Sequence, residues 1–197
     1  MKRIIFATSN EGKMKEIREI LKDLNIELLS LKDAGLNPDI EENGLTFEEN
    51  AIIKAKIVME LTGEIVLADD SGLEVDYMDK APGVYSARFL GEDTPYSVKN
   101  QYIIDKLANA KEEERSARFV CVIACAIPNG EVVTRRATIE GYISKQICGT
   151  EGFGYDPIFY VPEYQCTTAE MLSELKNAIS HRGKALSAMK QVIKDRL

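Results

Sequence analysis

Two β-rich runs, residues 117–127 and 131–143, flank Asn129-Gly130, and no other feature of the chain restricts its fold as tightly. Asn-Gly accepts the positive φ angles of a two-residue hairpin turn, so the runs predict a long antiparallel hairpin. Helical periodicity surrounds it. The apolar run 4–7 reads as a short strand that passes through a polar loop into a helix over about 10–24. Met14, Ile17, Leu21 and Leu24 recur on one face of that helix. Thr46-Phe-Glu-Glu49 has the form of a capping box, and Phe47, Ala51, Ala55 and Val58 continue it as an apolar stripe to about Thr62. Residues 64–68 follow as a strand ending in Asp69-Asp70-Ser71-Gly72, and a helix over about 182–196 carries Leu186, Met189 and Ile193. The pattern is that of a mixed α/β chain. No Pro/Gly/Ser-rich linker interrupts it, so residues 1–197 read as one domain in which any two lobes share a continuous core.

Composition removes several function classes. Hydrophobic residues at 45% and charged residues at 29% are globular proportions, and no window approaches the ~20 apolar residues that span a bilayer. The apolar run near the start is too short for a signal-peptide core, which makes the cytoplasm the expected location. Cys121, Cys125, Cys148 and Cys166 form no CxxC pair, and with a single histidine they argue against a zinc cage. Lys+Arg 25 against Asp+Glu 32 leaves a net charge of −7, which argues against nucleic acid as a partner. An anionic ligand must therefore meet a local cluster of positive groups or a metal.

Five stretches carry chemistry, and each has a plainer competing reading. Thr8-Ser9-Asn10-Glu11-Gly12-Lys13 joins a strand to a helix start, where free N–H groups and a lysine can meet an anion. It reads equally as an ordinary N-cap beside a solvated lysine, and its spacing is not that of a P-loop. Glu41-Glu42-Asn43-Gly44 and Asp69-Asp70-Ser71-Gly72 offer carboxylates from two segments, as a phosphate-bound Mg²⁺ requires; Glu41 and Glu42 could also lie in a solvated loop. The stretch 149–157 is glycine-rich. Phe153 and Tyr155 offer flat faces for a base there, Gly154 permits close backbone approach and Asp156 adds an acceptor; the competing reading is a turn entering a strand. Ser180-His181-Arg182, with Lys176 upstream, places donors before the last helix, where a lone histidine is commonly structural.

Taken in order, Thr8-Ser-Asn-Glu-Gly-Lys13, Glu41-x-x-Gly44, Thr46-Phe-x-Glu-Asn50, Ala68-Asp-Asp-Ser-Gly72, Pro82-Gly-Val-Tyr-Ser-Ala-Arg88, Gly152-Phe-Gly-Tyr-Asp-Pro157 and Ser180-His-Arg182 resemble the inosine/xanthosine triphosphate pyrophosphatases, or HAM1-like proteins. The resemblance implies an elongated two-lobed α/β fold with a central mixed sheet flanked by helices and a cleft between the lobes. It also implies a homodimer, and conversion of dITP, ITP or XTP to monophosphate and pyrophosphate with Mg²⁺. By motif matching, Thr8, Ser9, Asn10, Glu11, Gly12, Lys13, Lys54 and Ser71 would hold the triphosphate. Glu41 and Asp70 would bind the metal, Asp70 doubling as the base. Phe153, Gly154, Tyr155, Asp156, Lys176, His181 and Arg182 would contact the nucleotide. The sequence departs from the pattern at two places: Asp79-Lys80 stand where many relatives have Gly-Gly, and Cys148 where Arg is common.

The residues are consistent with such chemistry. A metal together with Lys13 and Lys54 can offset a triphosphate, and Asp70 can orient or deprotonate a water attacking the α-phosphorus, so no nucleophilic side chain is required. A donor-lined pocket formed by Arg182 and backbone N–H groups would favour a purine with oxygen at position 6 over adenine. The alternatives are a pyrophosphatase acting on modified pyrimidine nucleotides, like the Maf proteins, and a catalytically silent nucleotide sensor. The Ser-x-Ser-Pro-Arg-Arg start of the Maf proteins is missing here.

Overall fold

The computed structural model describes residues 2–128 and 130–196, so Asn129, one half of the expected turn, lies outside the described residues. In chain order the elements are β1 (Lys2–Phe6), α1 (Glu11–Leu21), β2 (Ile26–Ser30), α2 (Phe47–Thr62), β3 (Ile65–Val75), α3 (Tyr96–Lys106), β4 (Ser116–Ala126), β5 (Val132–Ile143), β6 (Phe159–Val161), β7 (Cys166–Thr167), α4 (Ser173–Ile179) and α5 (His181–Lys194). The strands form one mixed sheet in the order β2-β1-β3-β4-β5-β6-β7. β1 runs parallel to β2 and β3, whereas β6 is antiparallel to β5 and β7. β4 and β5 are neighbours, joined by a loop that the Ile127 N–H closes onto the Glu131 carbonyl at 2.9 Å.

The chain divides into two compact units. The first comprises residues 1–70, 121–137 and 182–197, and the second 71–120 and 138–181. Each has its own core. In the first, Met14, Ile17 and Leu21 of α1 and Leu186, Met189 and Ile193 of α5 pack with Ile4, Phe6, Leu67 and Ile123 from the strands. These are the positions that helical spacing selects, because residues three and four apart share one helix face. In the second unit Leu73, Ile103, Leu107, Phe119, Ile143, Ile158 and Phe159 form the centre. Phe119 and Phe159 lie with ring centroids 4.4 Å apart.

Three local outcomes differ from the pattern reading or extend it. The first helix spans Glu11–Leu21 rather than 10–24: Asn10 caps it by accepting from the Lys13 N–H, and Leu24 is buried beyond its end. β3 does not end at Ala68. It continues to Val75, because buried Leu73 and Val75 extend the apolar alternation past the two aspartates. Asp79 and Lys80 both adopt left-handed backbone, with φ of 50° and 65°. That conformation is costly for residues with a Cβ and free for glycine, the residue that the resemblance leads one to expect there. The capping box at Thr46 and Glu49 forms as expected, and Gly63 ends α2 at φ 67°.

Close packing in the second unit depends on Gly141 in β5, where an added Cβ would lie 2.5 Å from the Tyr160 carbonyl oxygen and 2.8 Å from the Phe159 ring. Gly141→Ala should therefore force β5 and β6 apart and lower stability by about 1–3 kcal/mol, measured by urea denaturation. An unchanged midpoint would mean that this stretch of sheet is looser than its geometry.

Candidate active site

Consecutive residues of a strand point to opposite faces, so β3 sends its two aspartates in different directions. Asp69 faces α1 and α5 and is almost completely buried. Lys13 Nζ lies 3.1 and 3.0 Å from its two oxygens, and Arg182 donates to it at 3.3 Å and to Glu16 at 2.6 Å. Asp70 faces α2. There Lys54 Nζ lies 3.4 Å from one of its oxygens and Asn50 Nδ2 donates to the other at 3.3 Å. Lys54 also donates to Glu42 at 2.8 Å.

The same residue type thus has two electrostatic fates one position apart. Burial pushes the Asp69 carboxyl up, but Lys13, Arg182 and Lys54 outweigh it and hold the group well below the usual carboxylate range. For Asp70 burial prevails over Lys54, with Glu42 adding to the upward push, and its pKa is raised. Asp69 is thus held in its charged form by its partners, whereas burial pushes Asp70 toward its neutral form. Lys54 stays charged because Asp70, Asp69 and Glu42 overcome the effect of its burial.

The sequence pattern gives Asn50 no role, and the structure supplies one. Its Oδ1 accepts from the Gly44 N–H at 2.8 Å while its Nδ2 holds Asp70, which fastens the 41–44 loop to the acid. A Cβ on Gly44 would fall 2.6 Å from that Oδ1, so the loop needs glycine there. Glu41 is exposed and makes no hydrogen bond or ion pair among the described residues; it is its neighbour Glu42 that joins the Lys54–Asp70 cluster. In the N-terminal loop Thr8 Oγ1 accepts from the Asn10 N–H, and Ser9, Asn10 and Glu11 are exposed, with Gly12 half-buried.

Thr8 to Lys13, Glu41, Lys54, Asp70 and Arg182 belong to the first unit; Ser71, Phe153 to Asp156, Lys176 and His181 belong to the second. In the second unit Gly152 and Gly154 carry the turn at φ 75° and 66°. Asp156 does not offer its carboxylate outward. It is buried, accepting from the Phe153 N–H at 2.8 Å, Thr168 Oγ1 at 2.8 Å and Lys176 Nζ at 2.6 Å. Nor does Tyr155 offer a face: its ring is buried edge-on to Tyr96, and its hydroxyl donates to the Ser86 carbonyl at 2.7 Å. The expectation of two stacking faces reduces to Phe153, which is half-buried with the Lys176 ammonium 5.1 Å from its ring centre. His181 stacks on Phe119 at 4.8 Å.

Among the described residues no group of three or more His, Cys, Asp or Glu side chains is arranged to hold a metal, and no helix is long and apolar enough to cross a membrane.

The model of the Ham1 family matches residues 4–192. A dITP/XTP pyrophosphatase of Clostridium perfringens is 50% identical, with 98% of each chain covered, and one of Bacillus licheniformis is 47% identical over 98% of each. Among solved structures, a HAM1 protein from Coxiella burnetii matches with a TM-score of 0.89 and 43% identity, covering 99% of this chain and 100% of that one.

The two aspartates should separate in their effect on folding. The depressed pKa of Asp69 supplies stability that is complete above the ordinary carboxylate range and lost as pH falls through and below it. The raised pKa of Asp70 has the opposite sign, favouring the fold at low pH and less so as pH rises. At pH 7 Asp69→Asn, which removes the counter-charge of half-buried Lys13 and one of the two carboxylates on buried Arg182, should cost about 3–5 kcal/mol and lower Tm by roughly 10 °C. Asp70→Asn should melt at or above the wild type, and the Asp69→Asn deficit should shrink on acidification. Equal melting of the two variants at pH 7 would contradict this division.

Proposed function

The chain belongs to the Ham1 family and is a nucleoside-triphosphate diphosphatase, and we propose that it converts dITP, ITP or XTP to monophosphate and pyrophosphate with Mg²⁺. The observation that carries the reading is the pair Asp69 and Asp70: one acid is locked as a counter-charge and the next is raised toward proton exchange. Perturbed carboxylates of this kind mark sites of chemistry.

Charge favours a cation beside the substrate. Lys13, Lys54 and Arg182 bring three positive charges, and Asp69, Asp70, Glu42 and Glu16 bring four negative, so the cluster is net −1 before any ligand arrives. A triphosphate, with about four negative charges, would be repelled unless a divalent ion came with it. The donor set fits a hard cation that takes few protein ligands and completes its shell with phosphate oxygens and water. Asp70 and the uncommitted Glu41 would hold it. When bound, Mg²⁺ would neutralise charge developing on the phosphates.

The chain's own residues do the rest. Asp70 takes a proton from the water that attacks the α-phosphorus. Lys54, shared between Asp70 and Glu42, keeps the acid oriented and offers a donor to the phosphates. Thr8 to Lys13 and Ser71 supply hydroxyl, N–H and ammonium donors for the triphosphate. Phe153 supplies a face for the purine, with Lys176, His181 and Arg182 at the nucleotide and Gly154 to Asp156 lining its approach. The reading extends to a homodimer in the cytoplasm, formed from single domains of two lobes. Donors facing position 6 would donate to the oxygen of hypoxanthine or xanthine and oppose the amino group of adenine, a mismatch that can discriminate by ~10⁴.

With Mg²⁺ the protein should release dIMP and pyrophosphate from dITP far faster than it acts on dATP. Asp70→Asn should lower kcat by about 10²–10⁴ without unfolding the chain. Chromatography of the products separates the outcomes: orthophosphate with dIDP, or a folded Asp70→Asn variant keeping more than about a tenth of wild-type kcat, contradicts the proposal.

A further inference from the structure

The function above leaves unused one of the most buried polar side chains of the second unit. Asn100, in α3, is 2% exposed, and its Nδ2 donates to the Gly154 carbonyl at 3.1 Å. Its Oδ1 has no hydrogen-bond partner among the described residues. The amide cannot be turned round, because Oδ1 would then face the carbonyl oxygen of Gly154. A buried acceptor left unmade costs about 1–3 kcal/mol, so the placement carries a penalty that folding alone does not explain.

The consequence lies in one peptide plane. In a trans peptide the carbonyl of one residue and the N–H of the next point in opposite directions. Holding the Gly154 carbonyl toward α3 therefore turns the Tyr155 N–H away from α3. The N–H groups of Gly154 and Tyr155 have no acceptor among the described residues. The plane is braced on both sides. The Tyr155 hydroxyl is tied to the Ser86 carbonyl at 2.7 Å, and Asp156 accepts from the Phe153 N–H at 2.8 Å. Gly152 lies so close to the Asp156 carboxylate that it has no room for a side chain. Gly154 sits at φ 66°, where only such bracing keeps a flexible glycine in one orientation.

We propose that Asn100 is a positioning residue for base selection: by holding the Gly154 carbonyl, it aims the Tyr155 N–H at the carbonyl oxygen on the six-membered ring of the purine. The inference rests on the proposed pyrophosphatase function and assigns its base discrimination to a backbone donor set by α3. Asn100 touches no substrate atom. A purine with an amino group in that place would meet donor with donor, so losing the aim should affect the two base classes unequally.

The test is Asn100→Leu, which keeps the size of the side chain and removes its donor, assayed with dITP and dATP beside the wild type. The expected result is a rise in KM for dITP with kcat nearly unchanged, and a dITP-over-dATP preference that falls by about tenfold or more, as for loss of one oriented hydrogen bond. A merely structural loss would lower both substrates together. The second measurement needs no variant: in ¹⁵N-labelled wild type the Tyr155 amide proton should shift downfield with saturating dIMP and not with dAMP. A folded Asn100→Leu protein with the wild-type preference, or a Tyr155 amide that responds alike to both monophosphates, overturns the inference. A wild type with no preference for dITP overturns the functional reading itself.

Discussion

The site depends on a single buried ion cluster, in which the Asp69 carboxylate is held between Lys13 of α1 and Arg182 of α5, with Glu16 sharing the arginine. Removing one partner from such a cluster leaves a charge in a poorly solvated place, so its members are interdependent. The cluster joins three elements far apart in sequence and fixes the strand on which Asp70 also sits. Because strand neighbours face opposite ways, pinning Asp69 on one side presents Asp70 on the other. The proposed base is thus oriented through its neighbour on the strand.

Around Asp70 the structure repeats the tactic at lower strength. Asn50 ties it to the 41–44 loop, and Lys54 ties it to Glu42. The second unit uses neutral bonds and one ion pair for a comparable end, with Asp156, Thr168, Lys176 and Asn100 fixing a turn whose glycines would otherwise leave it mobile. In both units the side chains that resemble ligand contacts in sequence are partly committed to shaping the backbone that carries them.

Much of this is written in local patterns. The apolar faces of α1 and α5, the capping box of α2 and the paired runs of β4 and β5 follow from spacing, because each buries one face or closes one turn. α3 does not announce itself: it buries Lys99 and Asn100 beside Ile103 and Ile104 while exposing Val98, so its polar and apolar residues keep no helical period. β2 is short and only partly buried, with Glu27 exposed within it. The acids at 69 and 70 are legible as a site, but their division of labour is not, since it comes from Lys13, Arg182 and Asn50, which tertiary packing brings to them. Tyr155 shows the limit most clearly. Its composition suggests a stacking face, and its contacts with Tyr96 and Ser86 make it a strut.

The central claim is that water attacks the α-phosphorus. Hydrolysis of dITP in ¹⁸O-labelled water with Mg²⁺, followed by mass spectrometry of both products from a single turnover, tests it most directly. The account predicts one ¹⁸O atom in the deoxyinosine monophosphate and none in the pyrophosphate. Label in the pyrophosphate would place the attack on the β-phosphorus and contradict it.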